Sequence, residues 1–247
     1  MTDISELYRL LAQPAVHALQ NLHITTLEEL AMFSESDVLA LHGIGQNALS
    51  IIKTFFQQRG LHFAAFRIDK TKANTPDETP RIRLRRLNPM DAEPIFRFRM
   101  DPANFPHVDM PLLHSLEEAN KYIVRMNKGM DEGQWLLFGM ELKLTGELIG
   151  TVSLWHFSIS GTTAEIGFLL FPEHRGHGYM KEAIDSLISF AFERMGLQVL
   201  EAYTQVNNHS SAMVLQNSGF VFARNTLEEH SITKEEVPMM VFERRKK

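Results

Sequence analysis

Hydrophobic and polar positions change their period near residue 66. Before it, apolar residues recur at helical spacing: Leu49, Ile52, Phe55 and Phe56 share one face of a helix predicted over about 46–58. Gly60 follows where a C-terminal cap is expected, and Gly43-Ile44-Gly45 precedes it as a tight turn. Thr25-Thr26-Leu27-Glu28 and Thr26-Leu27-Glu28-Glu29 both match the capping-box pattern, and Ser34 with Asp37 marks another helix start. Four or five short helices on one small core are predicted.

Beyond residue 80 two periods alternate. Strands are predicted over 81–87, 134–143, 148–157, 163–171 and 199–206, with a closing hairpin over 220–224 and 237–244. Helices are predicted over 91–100, over 115–130 (opened by Ser115 with Glu118), and over 210–217. A further helix carries Ile184, Leu187, Ile188, Ala191, Phe192 and Met195 on one face and stops at Gly196. Strands that run into a strand–loop–helix–strand unit predict an α+β fold with a mixed sheet, not a doubly wound one. From Asp69 to Pro80 the chain is polar, holds Pro76 and Pro80 and shows no apolar period, which reads as a linker. The expected organisation is a small helical domain over 1–66, a linker over 67–80 and a larger domain over 81–247.

Composition narrows the function classes. At 44% hydrophobic and 22% charged, the 247 residues read as an ordinary globular protein. A net charge of −5 argues against a general polyanion binder. The absence of cysteine excludes disulfides, thiolate metal sites and a cysteine nucleophile. The acidic start Met1-Thr2-Asp3-Ile4-Ser5-Glu6 lacks a signal-peptide layout, and no apolar stretch approaches the roughly 20 residues that span a bilayer. A cytoplasmic protein without membrane contact is expected.

The densest chemistry lies at Phe171-Pro172-Glu173-His174-Arg175-Gly176-His177-Gly178-Tyr179-Met180. A strand ends at Pro172 and a helix begins near Gly178. Two glycines at such a junction let consecutive N–H groups converge at a helix N-terminus, where the dipole also favours an anion. Arg175 adds a charge-assisted contact. An ordinary turn is the competing reading, and these residues alone leave both open. A third glycine of the dinucleotide fingerprint would fall at Lys181, and no Gly-Lys-Ser/Thr is present.

Arg175-Gly176-His177-Gly178-Tyr179-Met180 resembles the acyl-CoA motif Arg/Gln-x-x-Gly-x-Gly/Ala of the GNAT acetyltransferases, with Met180 departing at the last position. Methionine there is similar to the branch of the ribosomal-protein N-terminal acetyltransferases RimJ and RimL. Ala164-Glu165-Ile166-Gly167-Phe168 and Asn208-His209-Ser210-Ser211 followed by Gly219-Phe220 resemble two further signatures of that branch. The resemblance implies a GNAT fold, with a splayed mixed sheet, flanking helices and acetyl-CoA in the gap. It further implies that the backbone of Phe168, Leu169 and Leu170 pairs with the pantetheine arm. Gly176, His177, Gly178, Tyr179, Met180 and Lys181, with Arg175, would hold the pyrophosphate, and Asn208 would bond the cofactor. A helix N-cap is the other reading of Asn208, and both can hold.

Glu165 is the candidate base, because an amine must lose its proton to attack a thioester. It alternates with Ala164 and Ile166, so it faces away from Ile166 and Phe168; a structural glutamate is the alternative. The tyrosine that reprotonates the thiolate in many family members falls at Leu215, which leaves Ser211 or solvent as the acid. His107 and His114 lie in an expected substrate loop without a carboxylate at ligand spacing, so no metal is expected. Trp135 and Trp155 read as core, and Arg244-Arg245-Lys246-Lys247 as a solvated tail.

Residues 14–49, from Pro14-Ala15-Val16-His17 to Gly43-Ile44-Gly45-Gln46-Asn47-Ala48-Leu49, resemble the helix–hairpin–helix-type C-terminal domain of the RNA polymerase α subunit. The DNA-contacting arginine, asparagine, lysine and serine of that family fall at Pro14, His17, Asn47 and Ala48. Residues 1–66 carry Arg9, Lys53 and Arg59 against six acidic side chains, a net −3. Phosphate neutralisation supplies most non-specific DNA affinity, so a protein partner or a structural role is expected for this part, not DNA. For the whole chain, acetyl transfer to a protein or peptide N-terminal amine is the leading expectation. A polyamine, small-amine or antibiotic acceptor is the alternative, and an insert over 225–236 with Glu228, Glu229, Glu235 and Glu236 either suits a cationic acceptor or is a solvated loop. The rival from another class is a non-catalytic acyl-CoA-responsive module.

Overall fold

The computed structural model describes residues 3–33, 35–39, 41–63, 75–158, 161–230 and 234–246. They form two compact units, one built on Met1–Phe66 and one on Arg67–Phe157 and Gly161–Lys247.

The first unit holds α1 (Ser5–Tyr8), α2 (Gln13–Asn21), α3 (Leu27–Ala31), α4 (Glu35–Leu39) and α5 (Gln46–Gln57). Thr26 and Glu29 form the expected capping box of α3. The expected start at Ser34 with Asp37 lies outside the described residues and side chains. Leu49, Ile52, Phe55 and Phe56 of α5 turn into a core shared with Leu7, Leu19, Leu27 and Leu30. The turn before α5 needs glycine on two counts. Gly43 has φ +100°, and a Cβ there would lie 2.5 Å from the Pro14 carbonyl oxygen at the start of α2. Lys53 and Arg59 are engaged in ion pairs with Glu35 and Glu6.

The second unit is a seven-stranded sheet in the order β1-β2-β3-β4-β5-β7-β6. Its strands are β1 (Ile82–Arg85), β2 (Leu136–Leu142), β3 (Leu148–Trp155), β4 (Thr163–Leu170), β5 (Val199–Gln205), β6 (Val221–Glu229) and β7 (Glu236–Arg245). Neighbours are antiparallel except β4 and β5. Four helices complete the unit: α6 (Ala92–Arg99), α7 (Leu116–Asp131), α8 (Tyr179–Ser189) and α9 (His209–Asn217). Adjacent residues of β2 show how the layers divide, because successive side chains point to opposite faces. Leu137 joins Ile95, Phe98, Ile123 and Met126 of α6 and α7. Phe138 packs edge-on against Phe190 in the π-helical turn that continues α8. The sheet is thus sandwiched, as the mixed-sheet expectation required.

Two sequence expectations need correction. Half of the insert over 225–236 is strand, 225–229 and 236: β6 pairs with β7 as far as Glu229↔Glu236. Its residues are nearly all exposed, as befits an edge strand held by backbone pairing, so no apolar alternation announced it. The end of the expected linker is also not free. Asp77 bonds Ser186 and Arg194, while Thr79 and Arg81 bond Glu182 of α8. Polar contacts, invisible to a hydrophobic pattern, hold it there. Among the described residues, no helix is long and apolar enough to cross a membrane.

Replacing Gly43 by Ala should destabilise the first unit by about 2–4 kcal/mol, from left-handed backbone strain plus overpacking on Pro14. Chemical denaturation of the full chain, followed by helical circular dichroism, checks this; an unchanged transition would contradict it.

Candidate active site

Between β4 and β5 the sheet comes apart. They pair only at Thr163↔Val199, Ala164↔Leu200 and Glu165↔Glu201. Beyond that point β4 stays with β3 and β5 stays with β7, leaving their facing edges open. Which peptides face the gap follows from alternation along a strand. The Phe171 N–H donates to the Ile149 carbonyl of β3, while the Thr162 carbonyl accepts from Gln198 and Val199 on the β5 side. Phe168 and Leu170 therefore turn N–H and C=O into the gap. Leu169, the third residue expected there, turns its peptide groups toward β3 and its side chain onto the α6–α7 core.

The loop after β4 ends in a helix start whose first amides carry no side-chain cap. Gly176 and Gly178 have φ +80° and +78°, and Gly178 is the N-cap residue of α8. Ser115 caps α7 and Asn208 caps α9 through their side chains, whereas no side chain caps α8. The Glu182 N–H bonds the Gly178 carbonyl at 3.2 Å. The amides of Tyr179, Met180 and Lys181 come before it, where a helix offers no carbonyl. Met180 is buried, so only its backbone can reach a ligand. The His177 and Tyr179 rings stack at 5.5 Å, and Lys181 pairs with Asp185. Arg175 instead extends along the surface, its Nη2 donating to the Asn104 carbonyl at 2.7 Å. An uncapped helix behind two left-handed glycines, next to an open strand edge, fits a pyrophosphate with a pantetheine arm. Asn208 accepts from the Ser211 N–H at 3.1 Å through Oδ1, and that bond leaves its amide NH2 uncommitted.

Glu165 lies at the last joined pair of β4 and β5. Ala164 and Ile166 are buried on the opposite face, so the alternation was legible. Its neighbours were not. His156, at the end of β3 with φ +43°, places Nδ1 2.7 Å from Glu165 Oε2. That hydrogen bond raises the His156 pKa above its ordinary value of 6.5, against partial desolvation. Desolvation, and then the Glu165 charge, hold the Glu228 carboxyl of β6 above its usual range. Glu201 and Tyr203 of β5 share the Glu165 face. The Tyr203 hydroxyl donates to Glu201 at 3.1 Å, and Arg224 donates to both at 3.2 Å. Desolvation and Glu201 push the Tyr203 phenol up to about 12, so it stays protonated at neutral pH. His107 reaches Gln205 from the loop before α7, at 3.2 Å.

His156, Glu201, Tyr203 and Arg224 were missed by sequence reasoning. The alternation of Glu201, Tyr203 and Gln205 with Leu200, Ala202 and Thr204 was a signal for one shared face, though not for its neighbours. Ser211 sits half-buried in the first turn of α9, and Leu215 is fully buried where the family tyrosine would stand. Trp135 and Trp155 lie 5.2 Å apart against the α6–α7 core. Gly167 makes room for Trp155 and Ser153: a Cβ would fall 2.7 Å from Ser153 Oγ and 3.2 Å from Trp155 Nε1.

Known proteins resemble this chain in sequence and in fold. The acetyltransferase (GNAT) domain family matches residues 81–221. The uncharacterized N-acetyltransferase YoaA of Bacillus subtilis (strain 168) is 30% identical over 143 residues, 58% of this chain and 81% of that one. Spermidine N(1)-acetyltransferase of Vibrio cholerae is 27% identical over 85 residues, 34% of this chain and 49% of its own. The fold matches RimL, the ribosomal L7/L12 alpha-N-protein acetyltransferase, in complex with coenzyme A. There the TM-score is 0.62 at 15% identity, over 70% of this chain and 98% of that one. With the splayed sheet and the uncapped glycine loop already in place, the chain belongs to the GNAT family and is an N-acetyltransferase.

Proposed function

We propose that this enzyme moves an acetyl group from acetyl-CoA to a primary amine by direct attack, with Glu165 as base. The observation that carries the reading is the position of Glu165 at the point where β4 and β5 part, on the strand that leads into the uncapped start of α8. The amides from Gly176 to Lys181 hold the diphosphate, with Arg175 free to exchange its Asn104 contact for a phosphate oxygen. Phe168 and Leu170 pair with the pantetheine amides, and Asn208 donates its NH2. Acetyl-CoA supplies a carbonyl already activated as a thioester. The amine enters on the Glu165 face and gives its proton to that carboxylate as the new C–N bond forms and the C–S bond breaks. Ser211, or solvent through it, returns a proton to the thiolate.

A protein or peptide α-amine is the first acceptor reading, supported by the RimL-like signatures and fold. A polyamine is the second, favoured by the carboxylates of Glu165, Glu201, Glu228 and Glu243 on one side of the sheet and by the similarity to a spermidine acetyltransferase. Thiol release with short peptides and with spermidine, run side by side, separates them. For the first unit we favour a protein-docking or structural role, since Lys53 and Arg59 are already paired with carboxylates.

Glu165→Gln should lower kcat by about 10²–10⁴-fold, the usual worth of a general base, while CoA affinity stays unchanged. Calorimetry alongside the turnover assay tests this, and a variant with normal turnover would remove Glu165 from the chemistry. A pH dependence follows from His156. Its raised pKa means that the imidazolium–Glu165 pair is fully formed at low pH and is lost as pH rises through a value above 6.5. While the pair persists it occupies the oxygen that must take the proton, so kcat/KM should climb through that value. In His156→Gln the climb should move to lower pH; an unmoved profile counts against the pairing. The full chain should produce no salt-dependent mobility shift with duplex DNA. A shift that fades with added salt would reverse the reading of the first unit.

A further inference from the structure

We propose that Arg81 is a positioning residue for the acyl donor: from outside the cleft it aims the backbone of the glycine loop and neutralises the carboxylate beneath it. Arg81 precedes β1, the edge strand farthest from the β6–β7 hairpin, yet its guanidinium meets the start of α8. Nη1 donates to the His177 carbonyl at 3.0 Å, and Nε donates to Glu182 Oε2 at 2.7 Å. The guanidinium carbon lies 4.7 Å from the centre of the Tyr179 ring, which stacks on His177. Glu182 is held further by Thr79 Oγ1 and by the Arg81 N–H at 2.8 Å.

Two physical consequences follow. The peptide joining His177 and Gly178 is planar and trans, so fixing the His177 oxygen fixes the Gly178 N–H in the opposite direction. Arg81 pulls that oxygen outward on its own side, which turns the N–H away from Arg81. Glycine at 178 is otherwise the residue with most freedom to let this peptide flip. The second consequence is electrostatic. Glu182, only 16% exposed, puts a carboxylate in the first turn of α8, where it complements the helix dipole but opposes an incoming diphosphate. Its bond to Arg81 cancels that charge without occupying the loop amides.

The inference rests on the diphosphate reading of the loop, and the experiment keeps the two apart. Steady-state kinetics are measured with acetyl-CoA and with S-acetylpantetheine, which lacks the diphosphate, for wild type, Arg81→Ala, Arg81→Lys and Arg83→Ala. Arg83, two residues on in β1, pairs with Glu78 and Glu141 and serves as the control. Wild type should prefer acetyl-CoA. Arg81→Ala should raise KM for acetyl-CoA on the order of tenfold, the worth of one charge-assisted hydrogen bond. Its kcat, its KM for the amine and its activity with S-acetylpantetheine should stay at wild-type values. Arg81→Lys, which keeps the charge but cannot span the His177 carbonyl and Glu182 together, should fall between. Equal losses with both donors would make Arg81 merely structural and overturn the proposal. So would a donor preference that survives Arg81→Ala. A wild type with no preference for acetyl-CoA would instead defeat the diphosphate reading, and this inference with it.

Discussion

Two strands that start as parallel neighbours and then separate set the terms for the rest of this enzyme. A sheet that opens in its interior exposes two rows of backbone donors and acceptors, and leaving such a group unpaired away from water costs about 1–3 kcal/mol. Here each row belongs to a strand that is secure on its other edge, β4 against β3 and β5 against β7. The opening is therefore a permanent seam between two antiparallel half-sheets joined over Thr163–Glu165. Because the seam ends at Glu165 and its mouth lies at the loop after Leu170, one strand fixes the spacing between the proposed base and the loop amides proposed to hold the diphosphate.

The sequence disclosed what local rules govern. Thr26, Ser115 and Asn208 cap helices as their spacing predicted, and the face of Glu165 followed from its buried neighbours. What it hid depends on partners far along the chain. His156 comes to Glu165 from the end of β3, and Glu228 comes from β6. The orientation of the Leu169 peptide depends on which edge of β4 holds β3, which no periodicity encodes. The glycine turn stands between β4 and α8, at the strand–helix junction read from the sequence, but no local pattern revealed Arg81 behind it.

Charges on the acceptor face are arranged unevenly. Arg224 stands among Glu201, Glu243 and Tyr203, so that cluster is largely satisfied within the protein. Glu165 holds His156 by a hydrogen bond, and the Glu228 carboxyl is raised by desolvation first and by the Glu165 charge second. An ammonium group entering at that point meets two carboxylates and a histidine that can give up its charge. The carboxylates at the proposed amine site thus have fewer cations beside them than those further along the sheet, where Arg224 stands.

Asn208 caps α9 with one end of its side chain and keeps the other for the cofactor contact proposed above. Its oxygen is committed to the Ser211 amide, which leaves a neutral donor as its only outward group. Aspartate would close the helix equally well, since both are good caps. It would present a second lone-pair oxygen, with a full charge, where the proposed contact calls for a donor to a cofactor carbonyl. The helix could not tell these two residues apart; only a ligand could.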